Sequence, residues 1–201
     1  YYRAKGDEVY ALCRHSSEQL DQTGAKIIDK VDVGNPEALP DMLTRLKDVK
    51  IDLLINNAGV LARETLDDWD THTVEHQFRV NALGPMVITQ SLQEQLRDNA
   101  KVALITSRMG SMEDNTSGGY YGYRMSKAAL NAAGVSLAQD LKYRGISVAI
   151  LHPGYVQTEM VSNGGDISAE TAAQRLATRI DELNLENSGS FWHANGESLP
   201  W

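Results

Sequence analysis

The chain has 201 residues, 42% of them hydrophobic and 23% charged, and its formal net charge is −8. This length suits one domain with a sizeable core, and the acidic balance argues against a nucleic-acid interface or a membrane surface held by basic residues. The sequence has no apolar run near the ~20 residues of a transmembrane helix, and its single cysteine fits a reducing compartment. We therefore expect a cytoplasmic protein with neither nucleic-acid nor membrane partners.

Short apolar runs alternate with longer amphipathic stretches along the whole chain. We predict strands over about 8–13, 26–31, 51–56, 101–106, 146–151 and 189–193. We predict helices over about 36–48, 70–98, 122–143 and 168–184. Strands that alternate with helices require a parallel sheet covered on both faces. The predicted fold class is therefore a doubly wound, three-layer α/β domain that spans residues 1–201.

Small and polar residues follow three of the predicted strands. The strand over 51–56 runs into Asn56-Asn57-Ala58-Gly59, the next ends at Ser107, and the fifth runs into Pro153-Gly154. In open α/β sheets, ligands bind at the carboxyl ends of the strands. We therefore interpret these segments as loops of a binding site. His72 and His76 share a helical spacing that can bind zinc, but no further ligand accompanies them, so we predict no metal site.

Tyr123 and Lys127 lie four residues apart at the start of a predicted helix, and so on the same helix face. A nearby ammonium favours the phenolate and would lower the tyrosine pKa from about 10. A phenol tuned in this way can exchange a proton with a substrate oxygen. The alternative is an ordinary Tyr/Lys pair on a solvated helix face.

These features together resemble the short-chain dehydrogenase/reductase family. The matching segments occur in the family's order and comprise Asn56-Asn57-Ala58-Gly59, Asn81, Ser107, Tyr123 with Lys127, and Pro153-Gly154 followed by Val156 and Thr158. The segments over 107–111 and 115–121 look most like C-factor and sniffer-type carbonyl reductases. The resemblance implies a Rossmann-type fold and hydride transfer between a nicotinamide cofactor and a carbonyl or alcohol substrate.

The resemblance also implies roles for the polar residues. Tyr123 would be the general acid in reduction, and Lys127 would lower its pKa and hold the nicotinamide ribose. Ser107 would polarise the substrate carbonyl, and Asn81 would position a water molecule. The simpler alternatives are a strand-end cap for Ser107, a backbone-bonded polar group for Asn81 and a solvated side chain for Lys127.

The cofactor expected from the resemblance is NADP(H) rather than NAD(H). The second strand of this family reads the adenosine ribose, and here it ends in Arg14-His15-Ser16 without a carboxylate. Arg14 suits a 2′-phosphate, and Ser16 could donate to it. The family's other cofactor contacts map onto Asp32, Val33, Asn57, Ala58, Gly59, Tyr123, Lys127, Pro153, Gly154, Val156 and Thr158. Asp32 could instead simply cap its loop.

The family's opening strand, glycine-rich turn and helix have no counterpart in the sequence, which contains no Gly-x-Gly-x-x-Gly. The chain resembles a family member that starts about 25–30 residues late. The first strand normally lies in mid-sheet, so its absence should leave two strands with unpaired backbone groups. Residues before Tyr1, another segment or subunit, or a remodelled cofactor-free fold would each account for this.

Two further expectations concern function and assembly. The rival to a reductase is a non-enzymatic relative that keeps the fold and binds a partner, and among enzymes the nearest competitor is a 3-oxoacyl-carrier-protein reductase. Family resemblance implies a homodimer or homotetramer built on the helices over 70–98 and 122–143. The segment over 158–169, with Gly164-Gly165, should form an open and mobile lid over the substrate.

Overall fold

The structure is a computed structural model that describes residues 1–201 apart from the side chain of Ala38. Its strands are β1 (Tyr10–Leu12), β2 (Lys26–Ile28), β3 (Ile51–Asn56), β4 (Leu96–Ile105), β5 (Ser147–His152) and β6 (Phe191–His193). Its α-helices are α1 (Glu18–Asp21), α2 (Leu39–Leu46), α3 (Thr71–Phe78), α4 (Gly84–Ser91), α5 (Tyr121–Asp140) and α6 (Ala169–Asp181). Among these helices, none is long and apolar enough to cross a bilayer.

The strands are parallel and form two separate ladders, as a sheet without its middle strand should. β1 pairs with β2, while β3, β4, β5 and β6 pair in that order. In the part of the chain that the structure describes, no strand lies between β1 and β3, so each keeps one unpaired edge. The predicted doubly wound parallel fold and its interruption are both confirmed.

One hydrophobic cluster joins the two ladders. Met42 and Leu46 of α2 and Leu92 beyond α4 are each at most 2% exposed. Leu12 of β1 and Leu54 of β3 both pack against this cluster. Side-chain burial therefore holds the two ladders in one domain where backbone pairing does not.

The paired residues of β4 and β5 are among the most deeply buried in the molecule. Val102, Leu104, Val148 and Ile150 are fully buried, as expected for parallel strands covered on both faces. α5 packs closely here, because a Cβ on Gly134 would lie 2.7 Å from the Ile150 side chain. The helix that carries Tyr123 therefore packs directly on the most deeply buried residues of the sheet.

The prediction of one continuous helix over 70–98 is wrong, because this segment is interrupted and its helical part ends earlier. It consists of α3, a π-helical turn at Arg79–Leu83 and α4, which ends at Ser91. The wide turn precedes Pro85, which has no N–H to continue the hydrogen-bond ladder. β4 then begins at Leu96, where it pairs with Ile51, rather than at residue 101.

Smaller differences lie near the first ladder. α1 was not predicted; Ser17 caps it by accepting a hydrogen bond from the Leu20 N–H at 3.2 Å. The helix predicted over 36–48 begins as a 3₁₀ turn at Pro36–Ala38, with Asn35 as its N-cap, and continues as α2. The remaining predicted strands and helices differ from the observed ones only near their ends.

Candidate active site

Polar side chains from three strand ends and one helix meet at the carboxyl edge of the larger ladder. Ser107 follows β4, the Asn57-Ala58-Gly59 loop follows β3, and Pro153-Gly154 follows β5. α5 contributes Tyr123 and Lys127 from its first two turns. The sequence-predicted Asn81, Ser107, Tyr123 and Lys127 therefore lie in one connected region.

The Lys127 side chain is buried, with 4% of its surface exposed. Its Nζ donates to the Ile105 carbonyl at 2.9 Å and lies 5.8 Å from the centroid of the Tyr123 ring. Burial lowers the pKa of the ammonium from 10.5 to about 8. The alternative of a solvated helix lysine is therefore wrong.

Tyr123 differs from the sequence-based expectation in its acidity. Burial raises the pKa of its phenol above 10, and a hydrogen bond with Ser107 opposes this increase only in part. The Lys127 ammonium makes its hydrogen bond to Ile105 instead, so the predicted shift towards neutral is not found. Partial burial of the ring therefore favours the protonated phenol.

Asn81 lies in the π-helical turn and is fully buried. Its Oδ1 accepts from the Val60 N–H at 2.8 Å, and its Nδ2 donates to the Val60 carbonyl at 2.9 Å and to Ser126 Oγ at 3.0 Å. Ser126 in turn donates to the Tyr123 carbonyl at 2.8 Å. Asn81 thus connects the loop after β3 to α5. This is the alternative role stated above for Asn81, a polar group hydrogen-bonded to the backbone.

Ser107 caps the short 3₁₀ turn at Arg108–Gly110 by accepting from the Met109 N–H at 3.1 Å. This is the strand-end cap considered as its alternative, but a hydroxyl that accepts one bond keeps its own O–H to donate. A Cβ on Gly110 would lie 2.8 Å from the Lys127 carbonyl carbon. Glycine therefore lets the Ser107 turn lie directly on α5.

Gly59, in the loop after β3, lies close to these residues. A Cβ added to Gly59 would lie 3.4 Å from Asn81 Oδ1 and 3.7 Å from Lys127 Nζ. Asn57 and Ala58 are exposed. Lys127 has one hydrogen-bond acceptor among the described residues, so two of its N–H donors remain available to ribose hydroxyls. This donor set fits the nicotinamide half of a dinucleotide.

The loop after β5 forms the other wall. Gly154 adopts a left-handed backbone (φ +95°) against Ile167 and His193. Beyond Val156 and Thr158, which are partly buried, the chain returns so that the Gln157 N–H donates to the Ile167 carbonyl at 3.0 Å. The predicted mobility of this lid stays a prediction.

His152, at the end of β5, is a neutral group beside the site. Burial, with a smaller contribution from His193, lowers its pKa to about 3. The two rings meet edge to face at 4.9 Å. A neutral imidazole here adds no positive charge next to Lys127 at physiological pH.

The residues expected to contact the adenosine half of the cofactor differ in whether their polar groups are free. Arg14 is exposed, and its guanidinium makes no hydrogen bond with any described residue. Ser16 donates to Asp21 at 2.5 Å, so it is not free to donate to a phosphate as expected. Asp32 accepts a hydrogen bond from the Gly34 N–H at 2.9 Å and so caps its own loop, as the alternative for this residue stated. Val33 packs against the hydrophobic cluster that joins the two ladders.

Sequence reasoning did not identify several residues that organise this region. Thr106 donates to Asn131 at 2.7 Å beneath Lys127, and Ser126 links Asn81 to α5. Glu64 and Gln77 contact the start of α5 from a loop and from α3. The position of Ser126 three residues after Tyr123 was an available signal. Nothing in the sequence distinguishes Glu64 from the chain's other acidic residues.

Comparisons with known proteins agree with this geometry. Residues 2–167 match the family described as short chain dehydrogenase. The 1-hydroxy-2-glutathionyl-2-methyl-3-butene dehydrogenase of Rhodococcus sp. (strain AD45) is 38% identical over 203 residues, which cover 98% of this chain and 90% of that protein. C-signal of Myxococcus xanthus is 44% identical over 154 residues, which cover 75% of this chain and 93% of C-signal.

Solved structures give the same result. The crystal structure of NADPH-bound carbonyl reductase from chicken fatty liver superposes with a TM-score of 0.83 at 26% identity. The match covers 96% of this chain and 88% of the reductase. The resemblance to C-factor and carbonyl reductases that the motifs predicted is confirmed by these matches.

Proposed function

The chain belongs to the short-chain dehydrogenase family of oxidoreductases, and from that premise we propose that it is an NADPH-dependent reductase of carbonyl substrates. The observation that carries this proposal is the buried Lys127 ammonium, which lies beside Tyr123 and the Gly59 loop with N–H donors to spare. A buried lysine without a carboxylate partner is costly, so its presence points to a role in binding or chemistry.

In this proposal the cofactor supplies hydride and the protein supplies orientation and a proton. Lys127, Asn57, Ala58 and Gly59 would hold the nicotinamide ribose, and Pro153, Gly154, Val156 and Thr158 would lie against the nicotinamide. Asp32 and Val33 would contact the adenine. These residues lie at one edge of the sheet, which is where dinucleotides bind in this fold class.

Tyr123 would act as the general acid. Burial favours its protonated phenol, and the Ser107 hydroxyl, which hydrogen-bonds with that phenol, would redirect its proton to the same substrate oxygen when substrate binds. As negative charge develops on that oxygen, the Tyr123 proton would move to it, and the Lys127 ammonium would stabilise the phenolate left behind. Asn81 would keep the loop after β3 and the first turns of α5 in register, and would position the water molecule expected from the resemblance.

Apolar side chains exposed on the helices beside the site support assembly into a homodimer or homotetramer. Phe78 of α3 is 39% exposed and Met125 of α5 is 46% exposed. Trp69 lies against Tyr121 at the start of α5, with ring centroids 5.7 Å apart. We propose that this face is covered by a second copy, as the family resemblance implies.

The proposal is tested by titrating the chain with NADPH while following cofactor fluorescence, with the intact mass confirming 201 residues. Micromolar binding together with NADPH oxidation on a carbonyl substrate would support it. Absence of binding both by this chain and by a version extended before Tyr1 would favour the rival, a non-enzymatic binding protein.

Replacing Arg14 with Ala is expected to weaken NADPH binding by about 10- to 100-fold, because one charge-assisted phosphate contact is lost. NADH lacks the 2′-phosphate, so its dissociation constant should change little. Kd for both cofactors, measured by the same titration, checks this. Arg97→Ala is the control, since Arg97 is an exposed arginine at the opposite end of the sheet. An equal loss for NADPH and NADH would contradict the assignment.

A further inference from the structure

Glu64 is an acidic side chain buried close to the candidate active site. It lies in the loop after β3, is 4% exposed, and takes part in none of the ion pairs between described residues. A buried carboxylate without a cationic partner requires strong hydrogen bonds to offset its desolvation. The donors that supply them identify what Glu64 is attached to.

Those donors come from α5 and α3. The Gly122 N–H donates to Glu64 Oε2 at 3.3 Å, and Gln77 Nε2 donates to Oε1. The Tyr120 N–H donates to the Glu64 carbonyl at 3.0 Å. Glu64 therefore contacts the residues on both sides of the start of α5, and we refer to Glu64 with Gln77 as the clamp.

α5 has no cap of its own. Its N-cap residue, Tyr120, adopts a left-handed backbone (φ +53°) without a side-chain cap bond, and the first turn holds no acidic residue. The first N–H groups of a helix have no partner within the helix, and a carboxylate there is stabilised by the helix dipole. Glu64, 58 residues away in sequence, supplies that carboxylate.

The packing around the clamp is close. A Cβ on Gly122 would lie 3.0 Å from the Val74 Cα and 3.2 Å from Glu64 Oε1. Gln77 is 1% exposed and also accepts from the Ala62 N–H at 2.8 Å. The clamp thus connects the loop after β3, α3 and the first turn of α5 into one unit.

We infer that Glu64 is a positioning residue for the reaction, which holds the first turn of α5 and so sets where the Tyr123 phenol stands. Tyr123 directly follows Gly122, whose N–H Glu64 binds, so movement of this turn moves the proposed general acid. Misplacement of a catalytic group by about 1 Å can cost on the order of 10²-fold in rate. The effect on catalysis rests on the proposed function, whereas the attachment of the first turn of α5 to Glu64 does not.

The test compares Glu64→Ala, Glu64→Gln and Glu64→Asp with the parent in two measurements. Hydrogen–deuterium exchange of residues 121–124 reports the first turn of α5 without requiring activity. Steady-state kinetics with NADPH and a carbonyl substrate report kcat and KM separately. Asp67→Asn is the matched control, because Asp67 is an exposed carboxylate in the same loop.

Glu64→Ala is expected to raise exchange in residues 121–124 and to lower kcat by about tenfold or more, with KM for NADPH little changed. Glu64→Gln should recover part of kcat, since its amide oxygen can still accept from the Gly122 N–H while its NH2 then faces the Gln77 Nε2 donor. Glu64→Asp is one methylene too short to reach Gly122 and should behave like Glu64→Ala. If the alanine variant fails to fold, Glu64→Asp provides the test of the inference. Asp67→Asn should match the parent.

Unchanged exchange in Glu64→Ala and Glu64→Asp would overturn the inference, and so would raised exchange with an unchanged kcat. A loss of kcat in Glu64→Ala that Glu64→Gln shares in full would also overturn it. A parent without activity on any carbonyl substrate would count against the proposed function alone, because the exchange measurement still decides whether Glu64 orders the turn.

Discussion

Tyr123→Phe is expected to lower kcat for carbonyl reduction by about 10²- to 10⁴-fold, the range that general acid catalysis contributes. The substitution removes only the phenolic oxygen, so the ring keeps its packing at the start of α5. Cofactor affinity and the thermal midpoint should therefore stay close to those of the parent. Steady-state kinetics, NADPH titration and a thermal unfolding curve check the three parts of this prediction.

The neighbouring tyrosine provides the control for that experiment. Tyr121 lies in the same helical turn and contacts Trp69 through its ring, so Tyr121→Phe should retain turnover. A Tyr123→Phe enzyme with full turnover would remove Tyr123 from the mechanism. Equal losses in both variants would indicate disturbed packing of the turn rather than a missing proton donor.

Lys127→Met is expected to lower kcat/KM by about 10²-fold or more, because it removes both a ribose donor and the charge that stabilises the phenolate. Methionine is similar in length and apolar, so the side-chain volume beneath the site is kept. Kinetics with NADPH as the varied substrate measure the loss. Turnover at the parental level would show that the buried ammonium has no part in the reaction.

The same variant should change how stability depends on pH. The folded protein releases the Lys127 proton near pH 8, whereas an unfolded lysine releases it near 10.5. Between these values the unfolded chain binds more protons, so the parent should gain stability as pH rises, by up to about 3 kcal/mol relative to Lys127→Met. The penalty for burying the charge is fully present below pH 8 and is lost towards pH 10.5.

Urea unfolding of both proteins at pH 7.5, 9 and 10.5 measures this difference directly. Lys142→Met, which removes an exposed lysine, serves as the control for the loss of a charge. A difference between Lys127→Met and the parent that stays constant across this range would contradict the lowered pKa of Lys127.

The candidate site could be located from the sequence because its residues stand at strand ends. Ser107, Gly59 and Gly154 each follow an apolar run, and the carboxyl ends of parallel strands meet at one edge. Tyr123 and Lys127 were identifiable because helical spacing places them on one face. The interruption between β1 and β3 was expected from the family resemblance, because the family's first strand lies in the middle of the sheet and has no counterpart in the sequence.

Other properties depended on neighbours far away in sequence. The π-helical turn around Asn81 arises where its side chain binds the backbone of Val60, and local helix propensity does not reveal such a contact. The roles of Ser16 and Asp32 were open in the sequence, and their hydrogen bonds to Asp21 and Gly34 became visible only in the folded chain.

The sequence by itself thus determined the order of the six strands, the edge of the sheet at which the candidate residues meet and the residues with suitable chemistry. Only the tertiary structure decided the protonation of Tyr123 and Lys127 and the attachment of α5 to Glu64. Residue spacing determines which side chains share a face of a helix or strand, and this depends only on the local sequence. Desolvation and long-range hydrogen bonds arise when elements distant in sequence pack together, and they set the pKa of Lys127 near 8 and raise that of Tyr123 above 10.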